Sequence, residues 1–414
     1  IPRIVNHMYL GTEGVFGVPL EVSSTFVFMF ILFGSVLEKT GMGRFIIDLA
    51  MALAGWSTGG PAKVAVLSSG LMGTISGSSV ANVCTTGMFT IPLMKSVGYK
   101  PYFAGAVEAV ASTGGQIMPP VMGAGAFILA QFLGVPYIEV AIAAIVPALL
   151  YYFAVMVQVH FEATRLGLQG LPRNQLPALL PLLKSQGFLL IPLIAIIYFL
   201  LAGYTPLKAA FNGIVVSYVL SFLNKETRLT PVRLKEAFEA GARGAIGVAC
   251  ACACVGMVVG MATLTGLGLR IAGAIVTLAG GKLLPTLLLT MCASILLGTG
   301  LPTTANFIVT SMMAAPALLQ FGVPPMAAYM FVFYFGIAAD LSPPVALAAY
   351  AGAGIAGADP MKTGFTAFKL ALAGFLIPYI YVYNPMLLLI DYHPLEFGQA
   401  VVTAMIGVFL LAMA

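Results

Sequence analysis

Thr74-Ile75-Ser76-Gly77-Ser78-Ser79-Val80-Ala81-Asn82 is a knot of glycine and hydroxyl side chains set between two apolar runs. Backbone exposed to lipid has no water to bond, so an unwound polar stretch persists at membrane depth only where protein buries it or where it lines a wet cavity. The stretch is therefore a candidate site, and the chain contains it twice. Shifting by 224 residues (306 − 82) lays Ala81-Asn82 on Ala305-Asn306, Pro92 on Pro316, Gly98 on Gly322, Pro101 on Pro325, Pro119-Pro120-Val121 on Pro343-Pro344-Val345 and Pro136 on Pro360, without a gap. Upstream, Pro61 falls on Pro285, and after a one-residue slip Thr40-Gly41-Met42-Gly43 falls on Thr265-Gly266-Leu267-Gly268.

The surrounding composition is that of a membrane chain. Of 414 residues 60% are hydrophobic and 8% charged, with mean hydropathy +1.02, and no water-soluble fold of this length hides so much apolar surface behind so few charges. Runs of about 20 apolar residues indicate helices, not the alternating strands of a barrel. The net charge of +5 gathers in Arg165 to Lys184 and Lys225 to Arg243, the pattern of cytoplasmic loops under the positive-inside rule and not of a nucleic-acid surface. Five cysteines, Cys84, Cys250, Cys252, Cys254 and Cys292, lie in apolar helices. An odd number in lipid is no disulfide framework. Cys250 and Cys254, one turn apart, have no histidine or acid beside them, so small packing residues describe them better than metal ligands. The chain opens on Ile1 with no signal peptide, and its first residues read as the middle of a longer protein with a preceding membrane segment.

In chain order, residues 1–20 suit an interface and Val22 to Leu37 a first span, while Arg44 to Ala54 is short and either crosses or lies as a lateral arm. Pro61 to Met72, the polar knot, and Val83 to Met94 describe a hairpin that enters and leaves by one face, neither arm being long enough to cross. Pro101 starts a helix interrupted at Gly114-Gly115-Gln116-Ile117-Met118-Pro119-Pro120, because two prolines remove two donors and bar helix at the residue before each. It resumes from Val121 to Leu133. Spans follow at Tyr137 to Gln158, Phe188 to Ala202 and Leu207 to Leu223, then Lys225 to Arg243 as an amphipathic interfacial arm. The second half repeats the order: Ala245 to Leu264, Leu269 to Ala279, a hairpin from Pro285 to Gln320 with its tip at Gly298 to Asn306, a helix broken at Ala338 to Pro344, and spans at Phe368 to Leu389 and Phe397 to Ala414. An inverted repeat needs an odd number of crossings per unit, which holds if the short Arg44 to Ala54 segment and its mate lie laterally.

The predicted fold is an all-α integral membrane protein, an inverted structural repeat with two re-entrant helical hairpins and two broken transmembrane helices. Such pairs build a midplane site in which unwound carbonyls hold a small cation and helix N-termini face an anion. Sodium prefers hard oxygen ligands. The expected donors, one sodium site per repeat, are Ser76, Ser79, Gly115 and Pro119 in the first half and Gly300, Thr303, Ala338, Asp340 and Pro343 in the second, largely through backbone carbonyls. Ser78, Asn82, Thr304 and Asn306 are the expected substrate contacts. For the two asparagines, capping the second hairpin arm is an equal reading. A lone Ser-Gly-Ser would be explained by close helix packing, but its duplication beside a Pro-Pro break favours function. Asp340, whose repeat mate is Gln116, is the acid placed at membrane depth, and Glu108 ranks below it.

The run Ser76-Gly77-Ser78-Ser79-Val80-Ala81-Asn82, followed by Gly87, Ile91-Pro92-Leu93-Met94, Gly98-Tyr99 and Pro119-Pro120, with Gly300-Leu301-Pro302-Thr303 and Pro343-Pro344 in the second half, resembles the large membrane subunit of tripartite ATP-independent periplasmic (TRAP) transporters. The Ala81-Asn82 tip and Thr12-Glu13-Gly14-Val15-Phe16-Gly17 resemble the TAXI subclass, in which small and large membrane subunits are commonly fused. The resemblance implies a multi-pass protein of a bacterial or archaeal cytoplasmic membrane that works by an elevator mechanism. The transport domain would be residues 61–136 and 285–360, carried past scaffold segments 1–60, 137–284 and 361–414. It also implies a TAXI-type periplasmic binding protein that delivers a small organic acid, a small membrane subunit, fused or separate, and import driven by sodium without ATP. A stand-alone sodium-dependent dicarboxylate symporter would share the hairpins and breaks. An intramembrane aspartyl protease would need a second aspartate beside Asp340, and Asp359 and Asp391 sit near helix ends.

Overall fold

The computed structural model describes residues 2–390 and 392–413, so that Asp391 and the terminal Ala414 of the last span lie outside the described residues. The described residues form helices and loops, with no strand among them. Six helices are long and apolar enough to cross a membrane.

The first is α1 (Val18–Lys39), followed after Thr40-Gly41 by α2 (Met42–Ala54). At 1.5 Å per residue the 13 residues of α2 reach about 20 Å, short of an apolar core of about 30 Å. The first hairpin pairs α3 (Gly60–Gly73) with α4 (Ser79–Ser96). Next come α5 (Pro101–Gly114), a 3-10 turn (Gly115–Ile117), a turn through the two prolines, and α6 (Ala124–Leu133). Pro101 sits in the first turn of α5, where its missing N–H costs nothing. The span α7 (Tyr137–Leu166), the apolar span Arg173–Leu201 that ends in α8 (Ile191–Leu201), and the 16-residue α9 (Pro206–Ser221) close the first half.

The second half opens with a difference from the sequence reading. Lys225 to Arg243 was expected as an interfacial arm apart from the span at Ala245 to Leu264, yet one unbroken helix, α10 (Pro231–Thr265), runs from within the arm through the span, with Thr230 accepting the Arg233 N–H as its N-cap. The charges mark where the helix changes surroundings, and nothing in Gly241 to Ala245 breaks it: an interior glycine costs only about 1 kcal/mol. Lys39 at the end of α1 pairs with Glu236 of α10 at 2.9 Å. The N-terminal turns pack on the far part of α10, where Gly256 and Gly260 leave room for the backbone of Gly14 and Glu13. Then come α11 (Leu267–Leu278), α12 (Leu283–Gly298), α13 (Thr303–Met313) with a short extension at Ala315–Leu319, α14 (Pro325–Ala338), a 3-10 turn (Ala339–Leu341), α15 (Leu347–Ala356), α16 (Pro360–Tyr383) and α17 (Pro394–Met413).

The repeat read from the prolines recurs in the bounds of the elements. Pro101 and Pro325 open α5 and α14, and Gly115 and Ala339 open the two 3-10 turns, each pair one repeat length apart. Met122 and Ala346, also repeat mates, are non-glycine residues with positive φ, 60° and 34°. The hairpins and broken helices form the centre of the molecule. There α5 lies against α15 with backbones in contact, because a side chain on Gly352 would meet the Gly105 carbonyl oxygen at 2.5 Å.

Candidate functional site

The first tip is held by glycine. A Cβ on Gly73 would sit 2.2 Å from the Cα of Gly115, and one on Gly77 would sit 2.7 Å from the Met122 carbonyl, so the tip lies directly on the break between α5 and α6. Ser78 is the cap of α4: its side chain accepts the Ala81 N–H at 3.3 Å, and it is exposed. Ser79, the first residue of α4, is buried and donates from Oγ to Asp340 Oδ2 at 2.6 Å. Gln116 Nε2 donates to the same oxygen at 3.3 Å.

Gln116 and Asp340 are repeat mates. Their contact joins equivalent positions of the two halves at the breaks of both helices. The carboxylate there sits at the N-terminal end of α4, where the helix dipole favours negative charge. Gln116 Oε1 beside it is buried with no partner among the described residues.

Asn82 and Asn306 are each 1% exposed and lie inside their helices. Neither caps its own helix. Asn82 Nδ2 donates to the Ser69 carbonyl of α3 at 2.9 Å, and Asn306 Nδ2 donates to the Gly336 carbonyl of α14 at 2.6 Å. Equivalent residues thus tie their tips to different partners, the first to its own hairpin and the second to the broken helix. Asn306 also packs on Gly298, where a Cβ would fall 1.9 Å from its amide nitrogen. Thr304 is buried, Thr303 half-buried, and Gly300 is exposed and approaches Val345 beyond the second break. Ser76 and the two first prolines of the breaks, Pro119 and Pro343, are half-buried.

Some candidate carbonyls already have partners. Gly115 O accepts the Met118 N–H at 3.1 Å, and Ala338 O accepts Ser342 Oγ at 3.0 Å. Each keeps a second lone pair. The donor set around Asp340 and Gln116 is oxygen throughout the side chains that could face a metal, which suits a hard cation. Among the described residues no three histidine, cysteine or acidic side chains gather as a metal cluster. Asp359, weighed as a second aspartate, is an exposed N-cap of α16 accepting the Lys362 N–H at 2.7 Å.

Two residues absent from the sequence reading complete the breaks. Tyr137 on α7 donates to the Pro120 and Val121 carbonyls at 2.8 and 2.7 Å, and Tyr350 on α15 donates to the Pro344 carbonyl. Carbonyls of an unwound stretch must find donors, and Tyr137, directly after Pro136, was the tyrosine nearest in sequence to the first break.

Comparison with known proteins places the chain in a family of membrane transporters. Residues 1–395 match the family described as "Tripartite ATP-independent periplasmic transporter, DctM component". The C4-dicarboxylate TRAP transporter large permease protein DctM of Pseudomonas aeruginosa is 31% identical over 49% of this chain and 47% of its own length. The isethionate TRAP transporter permease protein DctMQ of Oleidesulfovibrio alaskensis is 25% identical over 80% of this chain and 52% of its own. The chain therefore spans about half the length of the curated relatives it matches. The solved Alcanivorax borkumensis YdaH transporter has a similar fold, with a TM-score of 0.51 and 16% identity over 94% of this chain and 84% of that one. Apolar helices and family together indicate a multi-pass membrane protein.

Proposed function

The chain belongs to the DctM-component family of tripartite ATP-independent periplasmic transporters, and from that premise we propose that it is the large permease part of a sodium-driven importer of small organic acids. The observation that carries the reading is the contact of Gln116 with its repeat mate Asp340, at a point where a hairpin tip and both helix breaks converge. A transporter that alternates its access needs one such site between two repeats.

In this reading α3–α4 and α12–α13 are re-entrant hairpins of inverted repeats. The short helices α2 and α11, at 13 and 12 residues, lie laterally, which leaves the first half an odd number of crossings, as inversion of the second requires. Residues 61–136 and 285–360 form the transport domain and move as an elevator against segments 1–60, 137–284 and 361–414. Ser76, Ser79, Gly115 and Pro119 hold one sodium ion, and Gly300, Thr303, Ala338, Asp340 and Pro343 the other. Ser78, Asn82, Thr304 and Asn306 contact the substrate once the tips part. Two relatives named for C4-dicarboxylate and isethionate support an acid as cargo. The setting is the inner membrane of a bacterium or archaeon. The partners are a periplasmic binding protein and a small membrane subunit, of the TAXI type and fused to this chain on the evidence of Ala81-Asn82 and the Thr12 to Gly17 run.

Uptake of a radiolabelled C4-dicarboxylate into proteoliposomes holding the complete permease tests this, with and without a sodium gradient and the cognate binding protein. Uptake should need both. Uptake without the binding protein would replace the tripartite reading with a stand-alone symporter, and uptake indifferent to sodium would remove the cation sites.

A further inference from the structure

Glu108 lies in the middle of α5, fully buried, and the ion pairs among the described residues do not include it. Its partners are hydroxyls. Ser69 Oγ donates to Oε1 at 2.6 Å, Thr86 Oγ1 donates to the same atom, Ser112 Oγ reaches it at 3.3 Å, and Thr90 Oγ1 donates to Oε2. Ser69 comes from α3, Thr86 and Thr90 from α4, and Ser112 from α5 itself. Both arms of the first hairpin thus close on one carboxyl group of the broken helix.

Two observations separate this cluster from an acid that merely fills space. The first is that its hydrogen bonds close in either protonation state. Thr86 Oγ1 is also 2.8 Å from the Asn82 carbonyl, and Thr90 Oγ1 is 3.0 Å from the Thr86 carbonyl. A hydroxyl has one proton and two acceptor positions. With Glu108 ionised the threonines donate to it; with Glu108 protonated they turn to the backbone, and a hydroxyl oxygen accepts the acid's proton.

The second is that the fold does without it in the other repeat. One repeat length on, Glu108 becomes Val332, Ser69 becomes Ala293, Thr90 becomes Ala314 and Ser112 becomes Gly336. Thr310, the mate of Thr86, is spent on the carbonyls of Asn306 and Phe307. An ionised group in such a place costs several kcal/mol without a counter-charge, whereas valine fits. The packing of the helices gives no reason for an acid at Glu108.

The surroundings offer no competing charge. From α7 come Tyr151 and Tyr152, whose hydroxyls are bound to the Val110 and Ala111 carbonyls. Lys63 stands in the first turn of α3, and Lys95 at the end of α4 donates to the Ala356 carbonyl. On α16, Lys362 lies over the Tyr102 ring and Lys369 is exposed; on α15, Tyr350 is bound to the Pro344 carbonyl. Asp340 is held by Ser79 and Gln116. A polar route does reach the cluster: Ser79, Asn82, Thr86 and Thr90 recur at helical spacing on α4, all buried, leading from the tip to Glu108.

We propose that Glu108 with Ser69, Thr86, Thr90 and Ser112 is a proton-binding site whose occupancy sets how the first hairpin packs on α5. It goes beyond the transport reading and does not depend on which solute moves.

Infrared difference spectra of the full chain in detergent, taken across a pH series, test proton binding directly. The wild type should show the carbonyl stretch of an un-ionised carboxyl that disappears as pH rises, and Glu108→Gln should lack it. Should Glu108→Gln not fold, Thr90→Val keeps the acid and should move the pH at which the band is lost. A band that ignores pH, or one unchanged in both variants, overturns the proposal. The packing step is read by maleimide labelling of Ser78→Cys at the exposed tip, with the exposed native cysteines replaced. Its rate should change several-fold across the series and become flat when Glu108→Gln is added. The same pH response with and without that substitution overturns the packing step.

Discussion

The two repeats share a backbone plan and divide their polar chemistry unequally. The first repeat has its acid, Glu108, inside the helix before the break and an amide, Gln116, at the break; the second has Val332 inside the helix and its acid, Asp340, at the break. The hydroxyls of Ser69, Thr86, Thr90 and Ser112 all meet Glu108, whereas buried oxygens without a partner among the described residues occur in both repeats, Thr113 Oγ1 and Gln116 Oε1 in the first and Thr290 Oγ1, Ser294 Oγ and Asn306 Oδ1 in the second. Close approach differs between the repeats. Gly105 meets Gly352 backbone to backbone, while at the equivalent crossing of α14 on α6 the mates are Tyr329 and Ile128, and Phe333 fills the space over Gly125. The repeat sets where helices break, and the side chains at equivalent positions decide where along each broken helix an acid sits.

The hardest test moves the acid to the other repeat. Val332→Glu places a carboxyl among Ala314, Ala315 and other apolar neighbours, where Ala293, Ala314 and Gly336 stand in place of three of the four hydroxyl residues around Glu108, and should cost about 3–5 kcal/mol of stability. Glu108→Val should cost far less, since Thr86 and Thr90 have backbone carbonyls to fall back on. Thermal unfolding of both in one detergent decides, and equal losses would end the distinction between the repeats.

Asp340→Asn comes next. Hydrogen bonds to a charged group contribute about 1.5–3 kcal/mol, so losing the charge that Ser79 and Gln116 address should lower sodium-stimulated uptake about tenfold or more. Gln116→Leu removes only the longer bond and should do less. Equal loss would make the two mates interchangeable.

Tyr137→Phe leaves two buried carbonyls without their donor and should destabilise by about 1–2 kcal/mol, against less than about 1 kcal/mol for Tyr350→Phe at the more exposed second break. Melting temperatures in detergent compare them. The smallest effect is a gain: Ala346→Gly relieves a positive φ of 34° and should add about 0.5–1 kcal/mol, read in the same melts.

Much of this was legible in the sequence because prolines and glycines act locally. Pro119-Pro120 and Pro343-Pro344 can only interrupt a helix, and the tips around Gly77 and Gly300 can only turn, so hairpins and breaks followed from residue type. The spacing also paired Gln116 with Asp340. That the pair touches could not be read, since contact between the two halves depends on how whole helices pack. Asn82 and Asn306 show the same limit from the other side: their equivalence in sequence was plain, but each amide found a different carbonyl, set by neighbours distant in the chain. Glu108 ranked below Asp340 because it lies half a helix before the break, and nothing in the spacing showed that hydroxyls from three helices would meet there. The continuity of α10 was missed because charge was taken as a boundary of structure, when it was only a boundary of surroundings.

That helix sets the vertical position of the molecule. Its 35 residues run to about 52 Å, and even at a tilt of about 40° they rise about 40 Å through an apolar layer of about 30 Å. One end must therefore stand in water or headgroups, and Arg233, Lys235, Glu236, Glu239 and Arg243 mark which. The Lys39–Glu236 bridge fastens α1 at the same height. Together they act as a plumb line: a thicker or thinner bilayer cannot slide along the protein freely, and has to bend to meet it at this level.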